Sequence, residues 1–213
     1  RNAFTMDENL SKSVIKVFVD LYNKKLIYKS KKLVNWDTVL KTAISDLEVD
    51  QREVSSILYY IKYPIEGTTE TITIATTRPE TMLGDTAIAV NPKDKRYKNL
   101  VGKNVILPIV GRKIKIIKDN YADPEQGSGA VKITPAHDFN DNEVGKRHQL
   151  PMINIFNKDA AVLSEGESYT FDGKELELDA PIPERLHGLD RFDARKAIVS
   201  EFEELGLLEK IED

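Results

Sequence analysis

Apolar and polar positions follow two different periods along this chain, and the change from one to the other falls near Glu53. Before it, Leu10, Val14, Val17, Phe18 and Leu21 recur at helical spacing behind Asp7, a candidate N-cap, which predicts a first helix. Residues 31–50 are mixed, with a strand expected over 33–36 and polar breaks that suit a junction better than a core. Beyond Glu53 the period shortens to two. Residues 56–63 are rich in β-formers, and 71–76 alternate polar and apolar as a half-buried strand does. Further strands are expected over 86–90, 105–107, 113–117, 130–134 and 152–156, separated by Gly, Pro and Asn turns. Two later helices are expected. One starts at Asp138 and runs towards His148, stopped by Pro151; the other follows Asp190 with Ala194, Ala197, Ile198, Phe202 and Leu205, and Gly206 as its stop. The polar stretch 159–179 reads as a surface excursion or hairpin, and no internal repeat or low-complexity tract appears.

Many short strands with frequent turns predict a mixed, mainly β fold: a closed or nearly closed β-barrel core with peripheral helices. A length of 213 residues suits one large domain, or one with a small appendage. The expected organisation is a junction segment over 1–50 and a main domain over 51–213. The opening Arg1-Asn2-Ala3-Phe4 lacks an initiator Met, which suggests a fragment of a longer protein. No run is apolar and long enough to span a bilayer, and no secretory signal opens the chain, so no membrane partner and a cytoplasmic location are expected.

Composition narrows the chemistry. Cysteine is absent, which removes disulfides, thiolate zinc sites and a Cys nucleophile. The three histidines, His137, His148 and His187, include no His-x-x-x-His pair, so no metal is expected. A net charge of −4 argues against broad grip on a nucleic-acid backbone, though it leaves room for a site that holds a strand end.

Two segments concentrate polar groups at strand ends. The first is Thr76-Thr77-Arg78-Pro79-Glu80-Thr81-Met82-Leu83-Gly84-Asp85-Thr86, where a strand delivers threonines and Pro79 breaks the ladder. Pattern alone favours a Thr-rich strand end with an Arg–Glu surface pair. The second runs from Gly127-Ser128-Gly129 through Lys132, Thr134, His137 and Asp138 to Asp141. Its glycines permit a tight turn or close approach of a ligand, but their spacing fits neither a P-loop nor a dinucleotide fingerprint. Spacing alone makes Asp138 an N-cap and Asp141 a first-turn carboxylate that complements the helix dipole. His137 titrates in the right range for a base; a helix-start histidine bonded to backbone is the favoured reading, and His148 and His187 are expected at the surface. Trp36 is expected to pack at the junction, Tyr59, Tyr60 and Tyr63 to cover a barrel face, and the basic stretch 24–32 to be solvated, with contact to a nucleic acid as the alternative.

Taken together, these segments resemble the editing domains of valyl-tRNA synthetases. Thr76 to Thr86, continued by Ala87-Ile88-Ala89-Val90-Asn91-Pro92, is similar to their threonine-rich region, and Gly127 to Asp141 to their second signature. The leucyl and isoleucyl patterns, with Pro-Asp-Thr-Leu-Phe-Gly or Thr-Thr-Pro-Trp-Thr in the first region, match less well. Residues 33–37, 42–49 and 188–195 resemble the flanks where the editing insertion leaves and rejoins the catalytic core. The two ATP-binding signatures of class I synthetases, His-Ile-Gly-His and Lys-Met-Ser-Lys-Ser, do not occur.

The resemblance implies post-transfer editing, the hydrolysis of Thr-tRNA(Val). Its alternatives are editing for a leucyl or isoleucyl enzyme, or a non-catalytic module for a tRNA 3′ end. It implies a deacylase without ATP-dependent aminoacylation; ATP and Mg belong to the missing catalytic domain, so no cofactor is expected in this segment. The implied partners are the aminoacyl end of tRNA(Val) and the rest of the parent synthetase, with the protein a monomer. An apolar synthetic pocket cannot strongly reject an isostere that only adds a hydroxyl, a case usually illustrated with valyl-tRNA synthetase itself; a second pocket that rewards the hydroxyl completes the selection. By resemblance, Asp141 anchors the α-ammonium. Asp138, Lys132 and Thr134 line the pocket, and Thr76, Thr77 and Thr81 meet the terminal adenosine and carbonyl region. Arg78 pairs with the terminal phosphate or packs by the ribose. Asp141, Thr76, Thr77 and Lys132 form the catalytic set, and Asp138, Thr134, Arg78, Thr81 and His137 the substrate-binding set. A positioned water and oriented hydrogen bonds are expected to suffice, with no covalent intermediate.

Overall fold

The computed structural model describes residues 4–212; Arg1, Asn2, Ala3 and Asp213, at the outer ends of the two expected segments, lie outside the described residues. Helix α1 (Glu8–Asn23) forms where its apolar period requires, yet buries none of its residues, and Val14, Val17 and Phe18 are all more than half exposed. Asp7 precedes it without capping it: its carboxylate accepts from the Phe4 N–H instead (3.1 Å). A hairpin of β1 (Asn35–Asp37) and β2 (Thr42–Ile44) follows. It is tied to the rest of the chain through Trp36, whose indole N–H donates to the Lys158 carbonyl at 2.9 Å.

Two larger sheets carry the core. In the first, β11 (Leu208–Glu212), β3 (Leu58–Pro64) and β4 (Thr71–Thr76) lie side by side, all antiparallel. In the second the order is β6 (Asn104–Ile106), β7 (Lys113–Lys118), β5 (Ala87–Val90) and β8 (Ala130–Ile133). Strand β5 runs parallel to β7 and antiparallel to β8, and all four of its residues are buried. That double burial explains its unbroken apolar run, Ala-Ile-Ala-Val. A separate pair, β9 (Met152–Phe156) and β10 (Val162–Tyr169), packs on one side. Ile61, Tyr63, Ile74, Ile88, Ile116, Ile153 and Phe202 belong to one buried cluster that joins all these layers.

The expected barrel is not what forms: no sheet closes on itself. The three- and four-stranded sheets are linked at one place by an isolated bridge between Ile65 and Val105, while β4 and β8 approach without a hydrogen-bonded ladder. The physical reason lies at the end of β4. Pro79 cannot donate to a ladder, and the chain leaves the strand for a 3-10 turn over Pro79–Gly84, which is buried throughout. The open seam between the ends of β4 and β8 becomes a pocket.

Every strand expected from the hydrophobic pattern forms within two residues of its expected bounds. Strands β2 and β11 are not expected from that pattern, and β10 falls in the stretch read as a surface excursion or hairpin. Strand β10 carries Ser164, Glu165 and Glu167, and β11 carries Glu209, Lys210 and Glu212, which blur alternation; such charges are tolerated at sheet edges. Helix α2 (Phe139–His148) ends at Gln149 in a left-handed conformation (φ 54°), two residues before Pro151. Helix α3 (Arg191–Glu204) buries Ala194, Ile198 and Phe202, with Gly206 beyond it at φ 66°.

The expected Arg78–Glu80 pair forms, but Glu80 is not at the surface and has a closer partner. Glu80 is fully buried, and its carboxylate accepts two bonds from Arg195 of α3, from Nε at 2.7 Å and Nη2 at 2.9 Å, while Arg78 Nε stays 3.5 Å away. This bidentate pair fastens the 3-10 turn to α3 and so fixes the wall of the pocket. Removing Arg195 would strand a buried carboxylate, which costs about 3–5 kcal/mol. An Arg195→Ala variant is therefore expected to lose roughly that much stability in denaturant titration. Adding Glu80→Gln should restore part of it. A loss below about 1 kcal/mol, the usual range for exposed pairs, would show that this pair does not hold the turn.

Candidate functional site

A pocket of about 260 Å³ opens in the seam, lined by Ala75, Thr76 and Thr77 from the end of β4, Thr81 from the 3-10 turn, and Val131, Lys132 and Thr134 from β8 and its exit. Asp138 and Asp141, at the start of α2, complete one side with Tyr121, and Arg78, His137 and Leu58 border it. All nine residues expected at the site therefore line one cavity.

Its floor is a buried polar knot. The Lys132 ammonium donates to Thr81 Oγ1 (2.8 Å), Asp85 Oδ1 (2.9 Å) and Thr134 Oγ1 (2.5 Å), which uses all three of its N–H groups. The Thr134 hydroxyl donates in turn to Asp85 Oδ1 (2.6 Å), and Thr81 donates to the Arg78 carbonyl (3.0 Å). Tyr63, fully buried on β3, donates to the other oxygen, Asp85 Oδ2, at 2.9 Å. Burial pushes the Asp85 carboxyl upwards, and Lys132, Thr134 and Tyr63 pull it back. Asp85 lies within the threonine-rich string, but nothing in the residue pattern assigned it a task. Its backbone carbonyl and that of Leu83 accept from Arg112 Nη2 (2.9 and 2.8 Å). Gly84 lets the turn descend onto β9, since a Cβ there would stand 2.8 Å from the Ile153 carbonyl oxygen.

The two aspartates of α2 carry both capping and pocket roles. Asp138 Oδ1 accepts from the backbone N–H groups of Asn140 (2.8 Å) and Asp141 (3.0 Å), a regular N-cap. Asp141 Oδ2 accepts from the Thr134 N–H (2.9 Å), which ties the helix start to the end of β8. Each carboxylate thus commits one oxygen to backbone, and its other oxygen accepts no regular hydrogen bond among the described residues, although the Tyr121 hydroxyl stands close enough to the Asp141 carboxylate to be raised by it. Asp141 is buried, and burial raises its carboxyl to about 6, against the opposing pull of Lys132 and of its bond to Thr134.

His137 takes the backbone-bonded role. Its Nε2 accepts from the Ile155 N–H (3.1 Å), its ring meets Phe156 edge-on at 5.1 Å, and burial lowers it to about 3. The ring is neutral at pH 7, and its accepting nitrogen is occupied. Its carbonyl accepts from Arg78 Nη1 (2.8 Å), which directs that guanidinium along the pocket edge. Thr77 is exposed at the mouth, and the Thr76 hydroxyl accepts from the Arg78 N–H (3.1 Å). Gly127 and Gly129, at φ 55° and 80°, serve the tight turn before β8, away from the pocket lining. His148 is less exposed than expected: its Nε2 lies 2.7 Å from Asp119 Oδ2. His187 is likewise part-buried, with its Nε2 at 2.7 Å from the Ile182 carbonyl.

A second concavity, between β10 and residues 175–179, is lined by Glu165, Glu167, Glu175, Glu177 and Asp179. Its charge would repel a phosphate backbone.

The family model described as the editing domain of leucyl-tRNA synthetase matches residues 94–203, and that of class I tRNA synthetases (I, L, M and V) matches 1–100. The chain is 68% identical over 204 residues to a valine–tRNA ligase of Pelagibacter ubique (strain HTCC1062), covering 96% of this chain and 22% of that protein. It is 60% identical over 220 residues to the valine–tRNA ligase of Mesorhizobium japonicum, covering all of this chain and 24% of that protein. The chain thus spans about a quarter of the length of the curated relatives it matches. Among solved structures, a leucyl-tRNA synthetase from Agrobacterium radiobacter K84, in ternary complex with tRNA and LeuAMS, is similar in fold with a TM-score of 0.53 at 17% identity. That likeness covers 98% of this chain and 33% of that one. The structure named GlLeuRS-CP1 gives 0.51 at 12% identity, over 73% of this chain and 99% of that one. The chain belongs to the editing-domain family of class I aminoacyl-tRNA synthetases, as the segment that corresponds to it in valine–tRNA ligases.

Proposed function

We propose that this domain performs post-transfer editing, hydrolysing the ester of threonine mischarged to tRNA(Val). The observation that carries the reading is the pairing of two carboxylates, each with one uncommitted oxygen, in a pocket whose other polar groups are largely spoken for. An aminoacyl ester of threonine presents two donors on adjacent carbons, an α-ammonium and a side-chain hydroxyl. Asp141 takes the ammonium and Asp138 the hydroxyl. Valine would leave the Asp138 oxygen desolvated and unpaired, which is costly in a confined site.

The remaining residues place the reacting group. The terminal adenosine enters over Thr76 and Thr77, and Arg78, with its side chain 43% exposed, meets the terminal phosphate. Lys132 contributes charge instead of a direct contact, because its three donors are used internally. Its positive field beside Asp141 favours the ionised carboxylate. Thr81 and Thr134 hold Lys132 in place. The ester is already activated, so holding a water against its carbonyl supplies most of the required acceleration. Hydrolysis of such an ester consumes no ATP.

Ammonium binding requires Asp141 ionised and the substrate amine protonated. In the full-length synthetase, kcat/KM for Thr-tRNA(Val) deacylation is expected to rise as pH passes through about 6 and to fall above about 8, where an α-amino group loses its proton. A profile flat between pH 5 and 7 would remove Asp141 from the ammonium site. Asp141→Asn should reduce deacylation at least ~100-fold, since a charge-assisted contact worth about 3 kcal/mol is lost. Val-tRNA(Val) should survive in the wild type; its rapid loss would sink the hydroxyl selection.

Stability should move the other way. The Asp141 carboxyl stands above its ordinary range in the folded state, so folding favours its protonated form. That stabilisation is complete below about pH 4 and is lost as pH rises through about 6. At pH 8 the wild type therefore carries the full cost of a buried charge. Asp141→Asn, which can still accept from the Thr134 N–H, should be more stable at pH 8 by about 1–3 kcal/mol. The gain should vanish by about pH 4 in matched denaturant titrations; a variant less stable than wild type at pH 8 would contradict the burial argument.

A further inference from the structure

Tyr121 stands on the open side of the pocket, facing the start of α2, on a loop that no part of either signature includes. It is 38% exposed, so its ring borders both the cavity and solvent. Burial, then the charges of Asp141 and Asp138 and the hydroxyl's own approach to the Asp141 carboxylate, push its hydroxyl up to about 12, so it carries its proton throughout the neutral range. It shares the lining with Thr76, Thr77 and the two carboxylates, and among the described residues it is the one phenol there.

The loop that carries it is unusually well fastened. The Asp119 N–H donates to the Val90 carbonyl (3.0 Å), and the Asn91 side chain donates to the Ala122 carbonyl (2.8 Å), so both ends of the loop are pinned to the exit of β5. The Asp119 carboxylate accepts from the Tyr121 N–H (2.8 Å) and from Arg147 through Nε (2.7 Å) and Nη2 (2.6 Å), with His148 Nε2 at 2.7 Å. Arg147 and His148 are the last residues of α2, whose first turn carries Asp141. One helix therefore fixes Asp141 at its start and, through Asp119, the Tyr121 backbone at its end. The spacing between the phenol and the carboxylates is set by a rigid frame.

We infer that Tyr121 is a second binding group for the α-ammonium of the aminoacyl ester, with its hydroxyl oxygen accepting from the cation that Asp141 holds, and that Asp119 is the positioning residue that presents it. An ammonium has three donors, and Asp141 Oδ1 can satisfy one of them. A neutral phenol oxygen facing the same space satisfies another without adding charge, and an aromatic ring beside a cation adds attraction of its own. The inference rests on the editing reading given above and adds to it a ligand for the ammonium from outside the two signatures.

The test compares two esters in the full-length synthetase: Thr-tRNA(Val), and the same ester with its α-amino group replaced by hydroxyl. Tyr121→Phe keeps the ring and should lower kcat/KM for Thr-tRNA(Val) five- to twentyfold, and Tyr121→Ala at least as much. Both should leave the hydroxy ester within about twofold of wild type. Asp119→Asn should shift Thr-tRNA(Val) in the same direction and again spare the hydroxy ester. Wild-type values for Thr-tRNA(Val) in both Tyr121 variants would overturn the inference and leave the editing reading standing. So would equal losses on the two esters, which would make Tyr121 a matter of folding alone. A wild-type enzyme that accelerates the loss of neither ester would overturn the editing reading and this inference with it.

Discussion

A single buried carboxylate, Asp85, holds the site together. Tyr63 reaches it from the three-stranded sheet, Lys132 and Thr134 from the four-stranded one, and it sits at the exit of the 3-10 turn that lines the pocket. The two sheets share no continuous ladder at the pocket seam, so this hydrogen-bonded knot does there what backbone pairing would do in a closed barrel. A buried ion pair is a poor source of net stability, because desolvating both charges offsets much of their attraction. Its value lies in geometry: with every donor and acceptor matched, Thr81, Lys132 and Thr134 have one arrangement available.

On the proposed reading, the knot lets the pocket be polar and still selective. A lysine with free donors would bind any carbonyl or hydroxyl that entered, whereas Lys132 has none to spare and acts only through its field. In the proposed editing reaction selection falls to the pocket-facing oxygens of Asp138 and Asp141, which the first turn of α2 holds by their other oxygens. Two further ion pairs keep this turn and the opposing wall in place, Glu80 with Arg195 and Asp119 with Arg147. Each joins an acidic residue near the pocket to an arginine on a helix, so helix position and pocket shape are coupled. Arg112 shows what this packing costs: its Nε and Nη1 are buried without a partner among the described residues, and burial depresses the guanidinium.

Outside this frame the chain is loosely built. Helix α1 has the periodicity of a packed helix and buries nothing, and large apolar side chains remain exposed through residues 4–57. These residues correspond to a segment within proteins about four times as long, and the basic strap touches the body of the domain through Ser30 on the Phe171 carbonyl and Lys31 over the Tyr169 ring.

The sequence by itself determined the elements and the neighbourhood of the site. Alternation with period two located β4 and β9 to the residue, and helix signals located both ends of α2 and α3, because those signals depend on near neighbours alone. Capping by Asp138 was legible for the same reason, and resemblance to editing domains supplied nine of the thirteen residues that line the pocket. What only the tertiary structure decided were the long-range pairings. Glu80 meets Arg195 across 115 residues, and Asp85 meets Lys132 across 47. The open seam, the burial that lifts Asp141 and the placement of Tyr121 all follow from such pairings. A carboxylate in a one-dimensional string reads the same whether it faces water or a buried ammonium; only the packed fold sets its surroundings, and with them its charge and its work.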